Sequence, residues 1–125
     1  QHVLEPIHGY LILAEKLYKD PLKYSGPWNF GTKRNTVTNV LQIVQQIIKI
    51  WGNGKIKYKK KQRYYEQANL QLNIEKSIKL IKWKPKYTIF KAIEVTTDWY
   101  KKVLIENIAV EDITNKQIKD YMNES

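Results

Sequence analysis

The chain has 125 residues, 42% of them hydrophobic and four of them Trp, a balance that suits one folded domain with its own core and excludes a disordered tract. It has no Cys, which excludes a disulfide framework, a thiolate metal site and a cysteine nucleophile. The net charge of +10 raises nucleic acid as a partner, but of the 22 basic residues only Arg34 and Arg63 are Arg, the residue that base readout and bidentate phosphate binding favour, so a solvated lysine surface is the plainer reading.

Gln1 to Leu4 reads as extended. Glu5-Pro6 then opens a helix, with Pro in the first turn, where its missing N–H costs nothing. Ile7, Tyr10, Leu11, Ala14, Leu17 and Tyr18 recur at spacings of three and four and predict its buried stripe. The helix stops before Asp20-Pro21. Leu22 to Pro27 is a connector with Ser25-Gly26-Pro27 as turn chemistry. Trp28-Asn29-Phe30-Gly31 predicts a short buried strand that ends at a glycine. Thr36 or Thr38 is the expected N-cap of a second helix, which buries Val40, Val44, Ile47, Ile48 and Trp51 and stops at Gly52.

Ile56 to Lys60 alternates as a strand, and Leu70-Gln71-Leu72 as another. Ile74, Ile78 and Ile81 fall at helical spacing before Trp83-Lys84-Pro85 stops the helix. A further helix, from about Thr88 to Leu104, is expected to bury Ile89, Ile93, Thr96, Tyr100 and Val103. Thr114 with Gln117 has the form of a capping box. It opens a last helix that carries Ile118, Tyr121 and Met122. The sum is four or five helices and three short strands, a single mostly helical α+β unit over 1–125. No apolar run reaches the roughly 20 residues of a membrane span, and no signal peptide is visible. The start at Gln1, within patterned sequence, reads as a piece of something longer.

The densest basic run is Lys57 to Arg63. It could meet the phosphates of a nucleic acid or a nucleotide, or it could be an exposed edge strand whose lysines discourage pairing. Arg63 stands apart from that run because Tyr64, Tyr65 and Glu66 follow it. An Arg can clamp a diphosphate, an acid can accept from ribose hydroxyls, and a tyrosine can stack on a base. The plainer alternative is an Arg–Glu surface pair. His2 and His8 are the only histidines, with His8 expected on the exposed side of the first helix, and they form no metal pattern. Tyr87 and Lys91 match a Tyr-x-x-x-Lys spacing, but Tyr87 precedes the expected helix start and the match reads as chance. No glycine-rich dinucleotide loop, phosphate loop or Gly-x-Ser-x-Gly is present.

Several stretches, in order, resemble the CDP-glucose 4,6-dehydratases, which are extended short-chain dehydrogenase/reductase enzymes. Gln1-His2-Val3-Leu4-Glu5-Pro6 with Gly9-Tyr10-Leu11 is similar to their "QHVLEP..GYL..AE.L". Trp28-Asn29-Phe30-Gly31 is similar to "WNFG", and Trp51-Gly52-Asn53-Gly54 to "WGxG". Glu66, Leu70, Leu72 and Lys76 fit "HEAxxLxLDxSKA", and Trp83-Lys84-Pro85 fits "LGWxP". Trp99-Tyr100 fits "WY", and Thr114, Gln117-Ile118 and Tyr121 fit "T..QI..Y". Three departures stand out: Tyr65 replaces the His before the Glu, Asn73 replaces an Asp, and Lys82 replaces the Gly before Trp83.

The resemblance implies an α/β enzyme of which 1–125 is the mostly helical C-terminal substrate-binding domain with a few short strands. The N-terminal Rossmann domain, which would bind NAD and carry the catalytic residues, would be absent. The intact enzyme would convert CDP-glucose to CDP-4-keto-6-deoxyglucose, as a cytoplasmic homodimer. By the same likeness Arg63 takes the position of a diphosphate-binding Arg and Glu66 that of a ribose-contacting acid. Tyr65 stands beside them, and His2 belongs to the segment lining the nucleotide pocket. The partners implied are a CDP-sugar and the chain's own Rossmann domain. A second reading is a stand-alone basic nucleic-acid-binding module that uses Lys57 to Arg63.

Overall fold

The structure is a computed structural model and describes residues 1–33, 38–57 and 72–124. Among these residues the chain forms six helices. Helix α1 (Leu4–Lys19) has Glu5 in its first turn and Lys16 and Lys19 in its last, charges that complement the helix dipole at both ends. The Asp20 carboxylate then accepts the Lys23 N–H at 3.1 Å and, with Pro21 at the first position, turns part of the expected connector into a one-turn helix, α2 (Pro21–Tyr24).

Helix α3 (Val40–Trp51) is capped by Asn39 rather than by either threonine. Asn39 Oδ1 accepts the Gln42 N–H at 2.9 Å, and Gln42 Oε1 accepts the Asn39 N–H at 3.1 Å. The reciprocal bonds need a Gln three residues on, which Asn39 has and Thr38 lacks. Thr36 lies outside the described residues. Gly52, at φ 95°, closes the helix as expected. Helix α4 (Glu75–Ile81) starts where Asn73 Oδ1 accepts the Glu75 N–H at 2.9 Å. Helix α5 (Ile89–Leu104) starts at Thr88, whose hydroxyl accepts the Lys91 N–H at 3.2 Å.

Helix α6 (Val110–Asn123) begins before the expected capping box, at Ala109, with Glu111 and Asp112 in its first turn. Thr114 and Gln117 instead fasten α6 to α5. Thr114 Oγ1 accepts the Trp99 indole N–H at 3.0 Å, and Gln117 Nε2 donates to Val95 O at 2.8 Å.

No strand occurs among the described residues. Ile56 and Lys57 are irregular, residues 58–60 and 70–71 lie outside the described residues, and Leu72 is irregular. The expected strand at 28–31 is an irregular segment with no strand to pair with among the described residues. Its carbonyls are taken by side chains: Pro27 O by Lys76 Nζ (2.9 Å), Asn29 O by the Ser77 hydroxyl (2.7 Å) and Phe30 O by Gln1 Nε2 (3.2 Å). Backbone acceptors away from water need partners, and here the partners are not a β ladder.

The helices fall into two packed groups. In the first, α1 packs with α2 and with α4 around Phe30, Ile74, Ile81 and Trp83. In the second, α5 packs with α3 and with α6 around Tyr87, Ala92 and Tyr121. The face that α1 turns to its core holds Glu5, Gly9, Ile12 and Leu13, not the expected stripe. Leu11 and Tyr18 are 66% and 91% exposed. In α5 the enclosed residues are Ala92 and Thr97, small enough to sit where the helix is crossed, while Thr96 and Tyr100 are exposed. No helix among the described residues is long and apolar enough to cross a membrane.

Candidate functional site

Of the four residues expected to bind substrate, Arg63, Tyr65 and Glu66 lie outside the described residues, as does most of the basic run; Lys57, its first residue, is exposed. His2 is described and buried. Its Nδ1 accepts the Leu4 N–H at 3.3 Å, which fixes the ring at the entry to α1 and leaves the proton on Nε2. The ring meets the edge of Tyr87 at 5.7 Å between centroids. Burial pushes the His2 pKa down, and the nearby Glu5 carboxylate only partly opposes this, so the imidazole is neutral at pH 7. His2 also lines a cavity of about 470 Å³ whose walls include Leu4, Thr96, Trp99, Tyr100 and Ile118.

The residue that joins the most elements is Glu5, which sequence reasoning left as a first-turn acid. It is 1% exposed. Its carboxylate accepts the Lys86 N–H (3.0 and 3.1 Å), the Tyr87 N–H (2.6 Å) and the Tyr121 O–H (3.0 Å), and its carbonyl accepts the Trp83 indole N–H (3.2 Å). Nothing in the spacing of Gln1 to Pro6 points to partners at the far end of the chain. Burial, then the Glu5 charge and its hydrogen bond, push the Tyr121 phenol well above its ordinary pKa. His8, expected on the exposed side of α1, stands edge-on to Tyr121 at 5.7 Å and is partly buried. Burial and the Lys86 charge lower its pKa.

Tyr87 and Lys91 do not form a proton-transfer pair. Tyr87 precedes α5, its ring contacts His2 and Tyr121, and the Lys91 ammonium reaches Glu94 at 3.4 Å. Burial raises the Tyr87 pKa, with Glu124, Asp120 and Glu5 adding to the effect, which is opposite to an activated phenol.

Four of the stretches that carry the sequence resemblance, those holding Gly9-Tyr10, Trp28 to Gly31, Leu72 to Lys76 and Trp83, meet in space. The Phe30 ring stands edge-on between Trp83 (5.0 Å) and Tyr10 (5.2 Å). A Cβ on Gly9 would lie 2.3 Å from that ring, so only glycine fits. Lys76 Nζ lies 4.2 Å over the Trp28 ring. Asn29 Nδ2 donates to Asn73 O at 3.2 Å, and a Cβ on Gly31 would touch both Leu72 and Ile74 at 3.3 Å. Leu72 to Ile74 are therefore laid directly on the 28–31 segment. These residues are scaffold.

The described residues do not fit a dinucleotide. Gly52 and Gly54 follow α3 instead of opening a helix, so no glycine-rich turn aims a helix N-terminus at a pyrophosphate. No group of three or more His, Asp or Glu among the described residues could hold a metal ion.

No family model matches the chain. Across 125 aligned residues, 98% of its length, the chain is 29% identical to the CDP-glucose 4,6-dehydratase of Salmonella typhimurium. It spans about a third of that relative's length (34%), so what it is similar to is one part of such an enzyme.

Proposed function

We propose that this chain is the C-terminal substrate-binding part of a CDP-glucose 4,6-dehydratase, holding a CDP-sugar and inactive without the rest of the enzyme. The observation that carries this is a 29% identity sustained over 98% of the chain. The convergence of the resembling stretches around Phe30 and Trp83 supports it. In this reading Arg63 clamps the diphosphate, Glu66 accepts from the ribose hydroxyls, Tyr65 stacks on the base, and His2 borders the nucleotide as a neutral donor. NAD, bound by the Rossmann domain of the intact cytoplasmic homodimer, supplies the hydride acceptor. This chain supplies grip and exclusion of water.

Titrating the chain with CDP-glucose tests the reading. Saturable binding is expected, weakened about tenfold or more in Arg63→Ala by loss of a bidentate charge-assisted contact. No sugar product is expected when NAD is added. Turnover by the chain alone would overturn the assignment of chemistry to an absent domain. Equal binding by Arg63→Ala would remove that residue from the site.

A further inference from the structure

We propose that Glu5 is an anionic latch that fixes the two helical groups in one relative arrangement, and that loss of its charge frees one group from the other while each stays packed. This goes beyond the nucleotide-sugar reading and does not depend on it.

The first turns of α1 are what reach the second group: Leu4 packs against its core of Tyr87, Ala92 and Tyr121. The seam between the two groups is crossed by the link 82–88 and by the first residues of the chain. Glu5 sits at that seam. Its backbone belongs to α1, and its carbonyl holds Trp83 in the core of the first group. Its carboxylate is bonded by the link, through the Lys86 and Tyr87 N–H groups, and by α6, through the Tyr121 hydroxyl. The remaining contacts in the neighbourhood cross the same seam: His2 against Tyr87, and His8 against Tyr121.

The charge matters because every partner of the side chain among the described residues donates to it. An ionised carboxylate is acceptor-only and can receive all of them. A neutral amide of the same shape keeps one acceptor oxygen for the two N–H groups and turns an N–H to the Tyr121 hydroxyl, which must then accept, so the charge assistance of all these bonds is lost. Among the described residues no cation pairs with Glu5: the Lys86 ammonium goes to the last carbonyls of α6, Tyr121 O at 3.1 Å and Met122 O at 3.4 Å, and lies over the Tyr121 ring. The titratable and charged groups around the seam are His2 and His8 beside α1, Lys86 and Tyr87 on the link, and Asp120, Tyr121 and Glu124 on α6. The bonds of this latch are directed and charge-assisted, and the apolar contact beside them is that of Leu4 with the second core, so the seam rests on few groups and opens first.

Native-state amide hydrogen exchange on Glu5→Gln in the whole chain tests the latch. The Lys86 and Tyr87 amides, and those of α6, are expected to exchange about tenfold faster or more. The amides of Ile78 and Trp83, bonded to Ile74 O and Ser77 O within the first group, keep their protection. Equal acceleration throughout would make Glu5 part of a single cooperative core, and unchanged exchange at Lys86 and Tyr87 would remove the latch; either overturns the proposal. If Glu5→Gln does not fold, Tyr121→Phe keeps the carboxylate and both backbone bonds and removes only the hydroxyl. Acceleration confined to α6 is then expected, and a uniform change overturns the proposal.

Discussion

Lys82 holds a left-handed backbone, φ 61° and ψ 18°, immediately after α4. Its N–H and that of Trp83 both return to Ser77 O, so the turn is fixed by bonds that the side chain does not make. A Cβ is strained in this region, which explains why the pattern that Trp83-Lys84-Pro85 resembles has Gly there. Lys82→Gly is expected to raise stability by about 1 kcal/mol, read as a higher urea midpoint at unchanged slope. A lower midpoint would mean that the lysine side chain contributes more than the strain costs. Asn107, at φ 54°, needs no such relief, since Asn tolerates this region. Gly9 is a different case: its constraint is the Phe30 ring and not the backbone angle.

Asn39 closes a capping box on a helix that has no fully buried residue of its own. Because α3 leans on α5 by one face only, its end depends on local bonds. Asn39→Ala is expected to cost about 1 kcal/mol, measured by thermal unfolding; a change below about 0.3 kcal/mol would assign the helix start to packing. The helices α1, α3, α4 and α5 were legible because periodicity and stop residues such as Gly52 act locally, although α4 ends at the left-handed Lys82, ahead of the expected stop at Pro85. What failed were statements that need a partner. The stripe from Ile7 to Tyr18 was correctly helical, but periodicity marks an apolar face without saying which neighbour covers it. Trp28 to Gly31 was read as a strand and is irregular, because a segment becomes a strand only when a second strand pairs with it. Thr114 and Gln117 had cap spacing, and an indole and a carbonyl of α5 claimed them instead. The site was legible only through resemblance, for His2 and for the stretch from Arg63 to Glu66. Glu5 was not legible as a hub because its partners are remote in sequence.

The seam between the helical groups holds both histidines and two buried tyrosines, which sets the pH range of the whole fold. Burial lowers the His2 and His8 pKa values below 6.5, so the folded state resists protons that the unfolded chain accepts. Stability therefore falls as pH drops below about 6.5. Tyr87 and Tyr121 are raised above 10.0, so the folded state keeps protons that the unfolded chain releases, and stability falls again above about pH 10. Urea unfolding is expected to give its highest midpoint between these limits, and His8→Gln to flatten the acid side. A midpoint that does not change from pH 7.5 to 5.5 would contradict the buried, neutral state of both rings. Glu5 also bears on the order of assembly. Its bonds to Trp83 and Tyr121 close spans of 78 and 116 residues, while α1 with α2 and α5 with α6 join neighbours along the chain. Long closures cost more chain entropy than local ones, so these bonds are expected late in folding. A bond made late acts on the unfolding rate, so Glu5→Gln is expected to shorten the lifetime of the native state with little change in the speed at which it is reached.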